Sequence, residues 1–241
     1  MDVEQEHTTA TTPALEMHGV VFGYEPGRPV LHISDFRVEQ SHRVFLFGPS
    51  GSGKTTLLGL ITGVLRPQSG TCQVLGQEMT RLSASAMDEY RGSEMGYIFQ
   101  SFNLIPYLSV RENIELPCRV HSRRRERIVS ASLDAEAVRI ARRLEMDSFL
   151  DRDVRKLSAG QQQRVAIARA VIGRPKLVIA DEPTSSLDAD RRERFLELLF
   201  EVCEEANATL IFVSHDRSLA ARFDQQISIA EISNAVGVPE A

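Results

Sequence analysis

Gly48-Pro49-Ser50-Gly51-Ser52-Gly53-Lys54-Thr55-Thr56 fills every position of the pattern G-x-x-x-x-G-K-[ST], and its flanks decide the fold that carries it. Upstream, Val44-Phe45-Leu46-Phe47 is short, apolar and turn-bounded, as a buried strand is; downstream, Leu57-Leu58-Gly59-Leu60-Ile61 continues helically. A strand that passes through a glycine-rich turn into a helix is the setting a phosphate-binding loop requires. Glycines 48, 51 and 53 let the backbone curl so that successive N–H groups point inward, above the positive end of the helix. Pro49, Ser50, Ser52 and Thr56 complete the cradle. Lys54 is expected to reach the β- and γ-phosphates of a nucleotide as a point charge, and the Thr55 hydroxyl to complete the coordination of Mg²⁺. The plainer alternative is a Gly/Ser-rich loop that only turns the chain.

Outward from this loop, Leu15 to Val21 and Ile33 to Val38 read as strands, separated by a turn at Pro26, Gly27 and Pro29. They form a small antiparallel prelude. After the loop helix, Arg66-Pro67-Gln68-Ser69-Gly70 breaks the chain before a strand at Thr71 to Leu75. A short helix at Ser83 to Tyr90 leads into a strand at Met95 to Phe99. From Ser109 to Gly173 the spacing is helical. Leu177-Val178-Ile179-Ala180 lacks alternation, which suits a parallel strand buried on both faces, and it ends on Asp181-Glu182-Pro183. A helical stripe from Phe195 to Ala206 precedes a further buried strand, Thr209 to Val213, which ends at Ser214-His215-Asp216. Strands alternating with helices predict a mainly parallel sheet with ligands at the strands' carboxyl ends.

The chain has 241 residues, enough for one large α/β domain or two small ones, and with 42% hydrophobic and 25% charged residues it belongs with globular proteins. No apolar run approaches the roughly 18 residues that span a bilayer. Met1 to Pro13 is polar and acidic, without the basic and apolar regions of a signal peptide, and reads as a frayed cytoplasmic tail. A net charge of −5 argues against general nucleic-acid binding. Cys72, Cys118 and Cys203 are too dispersed for a metal knuckle and odd in number for a disulfide framework, so half-buried reduced thiols are expected. Arg123-Arg124-Arg125-Glu126-Arg127 reads as a solvated loop between helices, with contact to anionic lipid headgroups as the functional alternative.

Chemistry gathers at strand ends. Given the phosphate loop, Asp181 is expected to hold Mg²⁺ through its water shell, and Glu182 to orient or deprotonate an attacking water. Ser158 followed by Gln161 is a capping box, which exposes a helix N-terminus able to meet phosphate.

The run Leu157-Ser158-Ala159-Gly160-Gln161, continuing Gln162-Gln163-Arg164-Val165-Ala166-Ile167-Ala168-Arg169-Ala170, resembles the signature sequence of ABC (ATP-binding cassette) ATPases, with Ala159 where that family has Gly. The resemblance covers residues 15 to 230. It implies a P-loop NTPase of α/β class: a mainly parallel core with an antiparallel β subdomain and an inserted helical subdomain. Residues 1–13 would be a disordered tail and 14–241 one domain, with 14–99 and 174–241 as nucleotide-binding core and about 100–173 as the helical part. It implies two ATPs sandwiched between two copies, each Ser158, Gly160 and Gln161 meeting the nucleotide held by the other. Gln100 matches a loop glutamine that senses Mg²⁺ and nucleotide, and Ser186-Leu187-Asp188 a segment that crosses the dimer, although Asp188 also reads as an N-cap. His215 matches a histidine expected at the γ-phosphate. Tyr24 stands where the family places a ring against adenine; otherwise it is a surface tyrosine beside a turn.

Gly96 to Pro106 and Arg111 to Pro117 are similar to the bacterial lipoprotein-releasing and macrolide-exporting group. That similarity implies an ATPase on the cytoplasmic face of the inner membrane, driving separate integral membrane subunits, with a periplasmic adaptor or lipoprotein as a further partner and no nucleic acid. Phe102, Leu104, Ile105 and Leu108 either receive a partner helix or pack inside the helical part. The rival readings are an ABC-type ATPase acting on DNA or ribosomes, and a P-loop kinase. The chain lacks the long coiled-coil insertion or second cassette of the first, and its signature helix argues against the second.

Overall fold

A computed structural model describes residues 12–185 and 187–233. The first strands are β1 (Leu15–Phe22), β2 (Leu31–Val38) and β3 (Arg43–Phe47), followed by α1 (Lys54–Ile61), β4 (Ser69–Val74) and β5 (Gln77–Glu78). Then come α2 (Ala84–Glu94), β6 (Met95–Ile98), and the helices α3 (Val110–Val120), α4 (Ser122–Glu126), α5 (Leu133–Arg143) and α6 (Ala159–Val171). The chain closes with β7 (Leu177–Asp181), α7 (Ala189–Ala206), β8 (Thr209–Val213), β9 (Gln225–Ser228) and α8 (Ile229–Ile232).

Two sheets result. One is antiparallel in the order β2-β1-β4-β5; the other is parallel in the order β6-β7-β8-β3-β9. Because side chains alternate across a strand, the parallel sheet divides its residues between two cores. Val178, Ala180, Leu210, Phe212 and Phe45 join the core built with α3, α5, α6 and α7. Leu177, Ile179, Ile211, Val213, Val44 and Leu46 join the core shared with α1 and the antiparallel sheet. Burial on both faces is why β7 and β8 read as unbroken apolar runs.

Helix starts follow local chemistry. Ser83, Ser109, Ser132, Ser158 and Asp188 each accept a hydrogen bond from a backbone N–H of the first turn. The expected elements are all present, most within two residues of their expected ends. The helix carrying the Phe195–Ala206 stripe extends back to Ala189, because the Asp188 cap starts it there. The tail assigned to residues 1–13 lies almost wholly outside the described residues, and Ser186 does too.

Two expectations are corrected. The arginine run is not a solvated loop: it forms α4, and Arg124 is buried while Arg123 and Arg125 are exposed. Its guanidinium donates to the carbonyls of Ile172 (2.6 Å), Met95 (3.0 Å), Gly92 (3.3 Å) and Ala170. Arg127 donates to the Ser93 carbonyl and pairs with Glu94. Gly173 is required here: its φ is +68°, and a Cβ would lie 2.4 Å from Arg124 Cγ. The three cysteines are free and fully buried, not half-buried. Burial pushes the Cys72 and Cys203 thiols up to about 12 and that of Cys118 to about 11, far from a reactive thiolate.

Candidate active site

The carboxyl ends of β3, β7 and β8 lie side by side, so the loops leaving them share one cleft of about 570 Å³. Ser50, Gly51, Gly53, Lys54, Thr55 and Thr56 line it from the loop after β3; Asp181, Glu182 and Ser185 from β7; His215 from β8. Tyr24 and Gln100 close the rim. The loop curls through Gly51 (φ 76°) and Gly53 (φ 95°), conformations only glycine adopts without strain. Gly53 caps α1 without a side chain, so the first turn keeps its N–H groups and positive dipole end for an anion. Lys54 Nζ donates to the carbonyls of Gly48 and Pro49, at 2.8 Å each. Ser52 Oγ is buried with no hydrogen-bond partner inside the same loop.

Asp181 is half-buried. Burial raises its pKa, and the neighbouring charge of Glu182 adds to this, while Tyr97 and Lys54 act in the opposite direction. Such a carboxylate calls for a cation. With the Thr55 hydroxyl it supplies hard oxygen donors, the set that suits Mg²⁺ in company with phosphate oxygens. Glu182 occupies the left-handed region at φ 48°, pinned by its N–H to the Val213 carbonyl (3.0 Å). Its Oε2 lies 2.6 Å from His215 Nδ1. Pairing of these two side chains, distant in sequence, gives a carboxylate held by an imidazole at the mouth of a phosphate cradle.

Other expected residues stand elsewhere or act differently. Ser158, Gly160 and Gln161 line a separate cleft of about 400 Å³ with Glu145, Arg164, Arg191 and Arg194. There the capping box is formed: Gln161 N–H donates to Ser158 Oγ (3.3 Å) and Ser158 N–H to Gln161 Oε1 (2.9 Å). Asp188 caps α7. Gln100 Nε2 donates to Ser185 Oγ at 3.4 Å. Tyr24 is 66% exposed, its hydroxyl 3.1 Å from Thr56 Oγ1 and its ring edge-on to Phe22.

Sequence reading missed three contributors. Tyr97 donates to Asp181, Ser185 pairs with Gln100, and Arg169 of α6 donates to the carbonyls of Phe102 (2.6 Å) and Asn103 (2.7 Å). Those two residues have φ of 59° and 45°, so Arg169 fastens a strained loop to the helix that Ser158 caps. No local signal marks any of these contacts. In that loop Phe102 is buried and Leu104 packs against the helical core, whereas Tyr107 is 82% exposed, and Asn113 binds both the backbone N–H and the carbonyl of Ile105.

The family model described as "ABC transporter" matches residues 31–185, from β2 through the loop after β7. The chain belongs to the ABC transporter family. It is an ABC ATPase, an enzyme that binds and hydrolyses ATP. The chain is 35% identical to the lipoprotein-releasing system ATP-binding protein LolD 2 of Rhodospirillum rubrum over 92% of its own length and 95% of the relative's. It is 39% identical to the ABC transporter ATP-binding protein YbbA of Escherichia coli K12, over 78% and 80%. The ABC ATPase fold is that of the dimeric cassette MJ0796 (TM-score 0.75, 30% identity, 89% of this chain and 94% of that one). A post-hydrolysis dimer of MJ0796 bound to ADP and Pi is similarly close (TM-score 0.76, 29% identity, 94% and 97%). Among the described residues no helix is long and apolar enough to cross a membrane.

Proposed function

We propose that this ABC ATPase works as a pair of copies that close on two MgATP molecules and drive separate integral membrane subunits of a lipoprotein-releasing type of transporter. The observation that carries the reading is the gathering of Lys54, Thr55, Asp181, Glu182 and His215 in one cleft while the Ser158–Gln161 cap stands in another. One chain thus holds the phosphate cradle and the water-handling acid but leaves its second helix N-terminus for another nucleotide. Identity to LolD over most of both chains supports the membrane partner and, with it, a place on the cytoplasmic face of a bacterial inner membrane. A released lipoprotein or periplasmic adaptor belongs to the same reading. The dimeric MJ0796 cassettes support the pairing.

In this scheme Lys54 exchanges the Gly48 and Pro49 carbonyls for the β- and γ-phosphates. Gly48 to Thr56 cradle the phosphates, and Tyr24 supports the adenine from the rim. Thr55 and Asp181 hold Mg²⁺, with Gln100 reporting its presence to the helices; bound there, the ion neutralises charge on the phosphate oxygens. Glu182 orients the attacking water and accepts its proton, and His215 fixes the Glu182 carboxylate. Ser158, Gly160, Gln161 and Asp188 of the second copy complete the enclosure. Residues 14–99 and 174–241 act as the nucleotide-binding core, and about 100–173 as the helical part.

The membrane partner docks on a second, apolar cleft of about 480 Å³ lined by Leu58, Val64, Leu65, Tyr97 and Phe99 and sharing Tyr24 and Thr55 with the nucleotide site. Val64 is 68% exposed there, which suits an apolar helix end better than the buried Phe102 does.

The deciding experiment is Glu182→Gln. MgATP affinity should stay near that of the unaltered chain, turnover should fall by about 10²-fold or more, and MgATP should trap a dimer visible by light scattering. Normal turnover would remove Glu182 from the chemistry.

A further inference from the structure

The parallel register of β6 and β7 sets Tyr97 opposite Ile179, which puts Tyr97, Phe99, Ile179 and Asp181 on one face of the sheet. Asp181 is the diagonal neighbour of Tyr97, within reach of a long aromatic side chain. The phenol hydroxyl donates to Asp181 Oδ2 at 3.3 Å. Its ring lies 4.2 Å from that of Phe99, centroid to centroid, and both rings wall the apolar cleft. One half-buried side chain therefore touches two sites: its ring faces the apolar cleft and its hydroxyl the acid of the nucleotide cleft. Packing asks only for a ring at this position. The hydroxyl has a separate use.

We infer that Tyr97 is a positioning residue for the Asp181 carboxylate. Its hydrogen bond engages one carboxylate oxygen, so that the other is presented to the hydrated Mg²⁺ of MgATP, and the ring ties this aim to the wall of the apolar cleft. The inference rests on the reading of Asp181 as the Mg²⁺-holding acid. A rotating carboxylate holds an ion through its water shell poorly, because each conformer breaks the hydrogen bonds to that shell. A ring displaced in the apolar cleft carries its hydroxyl away from Asp181, so what sits against Phe99 and Tyr97 is read at the metal site.

The test compares the full-length chain with Tyr97→Phe and Asp181→Ala by calorimetric titration of a non-hydrolysable ATP analogue, in EDTA and in Mg²⁺. Mn²⁺ binding to the analogue-loaded protein is followed in parallel by electron paramagnetic resonance. Tyr97→Phe keeps the ring, and its affinity in EDTA should match the unaltered chain. In Mg²⁺ it should bind about tenfold more weakly, the loss of one charge-assisted hydrogen bond, with a matching rise in the Mn²⁺ midpoint. Equal Mg²⁺ and Mn²⁺ responses in Tyr97→Phe and the unaltered chain, while Asp181→Ala loses them, overturn the role of Tyr97 alone. Normal responses in both variants overturn the assignment of Asp181 beneath it. Equal losses in EDTA and in Mg²⁺ for Tyr97→Phe mean that the hydroxyl supports structure only, and overturn the inference too.

Discussion

Arg124→Met should be among the most destabilising single changes outside the nucleotide cleft. It removes the guanidinium that serves the carbonyls of Gly92, Met95, Ala170 and Ile172. Gly92 and Ala170 lie in the last turns of α2 and α6, where carbonyls have no partner within the helix. Each buried carbonyl left alone costs about 1–3 kcal/mol. Two of them cost about 2–6 kcal/mol, and what entering water restores brings the loss to about 2–4 kcal/mol. For a chain of this size that lowers the melting temperature by about 10 °C. Calorimetric or fluorescence melts of the nucleotide-free protein measure it directly. Arg123→Ala, one residue away and exposed, is the control and should stay within about 0.5 kcal/mol. The reasoning fails if both variants melt together, for then Arg124 is solvated like its neighbour.

Two further outcomes follow from the site. Lys54→Ala loses the cation at the phosphate cradle and the brace on the Gly48 and Pro49 carbonyls, so ATP affinity should fall by about 10²-fold in equilibrium binding; unchanged affinity would count against the phosphate-loop assignment. Val64→Arg places a charge at the exposed edge of the apolar cleft. It should leave the basal ATPase rate within about twofold while abolishing co-purification of integral membrane subunits, and continued recovery of those subunits from native membranes would move the docking surface elsewhere.

Most of the fold was legible because its signals are local. The run from Gly48 to Thr56 needs its glycines for backbone conformations set within three residues, and the chain curls at Gly51 and Gly53. The unbroken apolar β7 announced burial on both faces, and Ser158 with Gln161 announced a helix start. These patterns follow from backbone sterics and hydrogen bonding inside a single element.

What the chain could not disclose by itself depends on contacts across long separations. Arg124 reads as one of four closely spaced arginines, and only the approach of α2 and α6, 32 to 48 residues away, makes it a buried strut. Tyr97 reads as one more apolar-strand residue until β6 pairs with β7 and brings Asp181, 84 residues on, beneath its hydroxyl. The meeting of Glu182 with His215 likewise waits on the pairing of β7 with β8. Burial decides such cases: a charge or hydroxyl withdrawn from water must find a partner, and only the packed chain determines which one stands within reach.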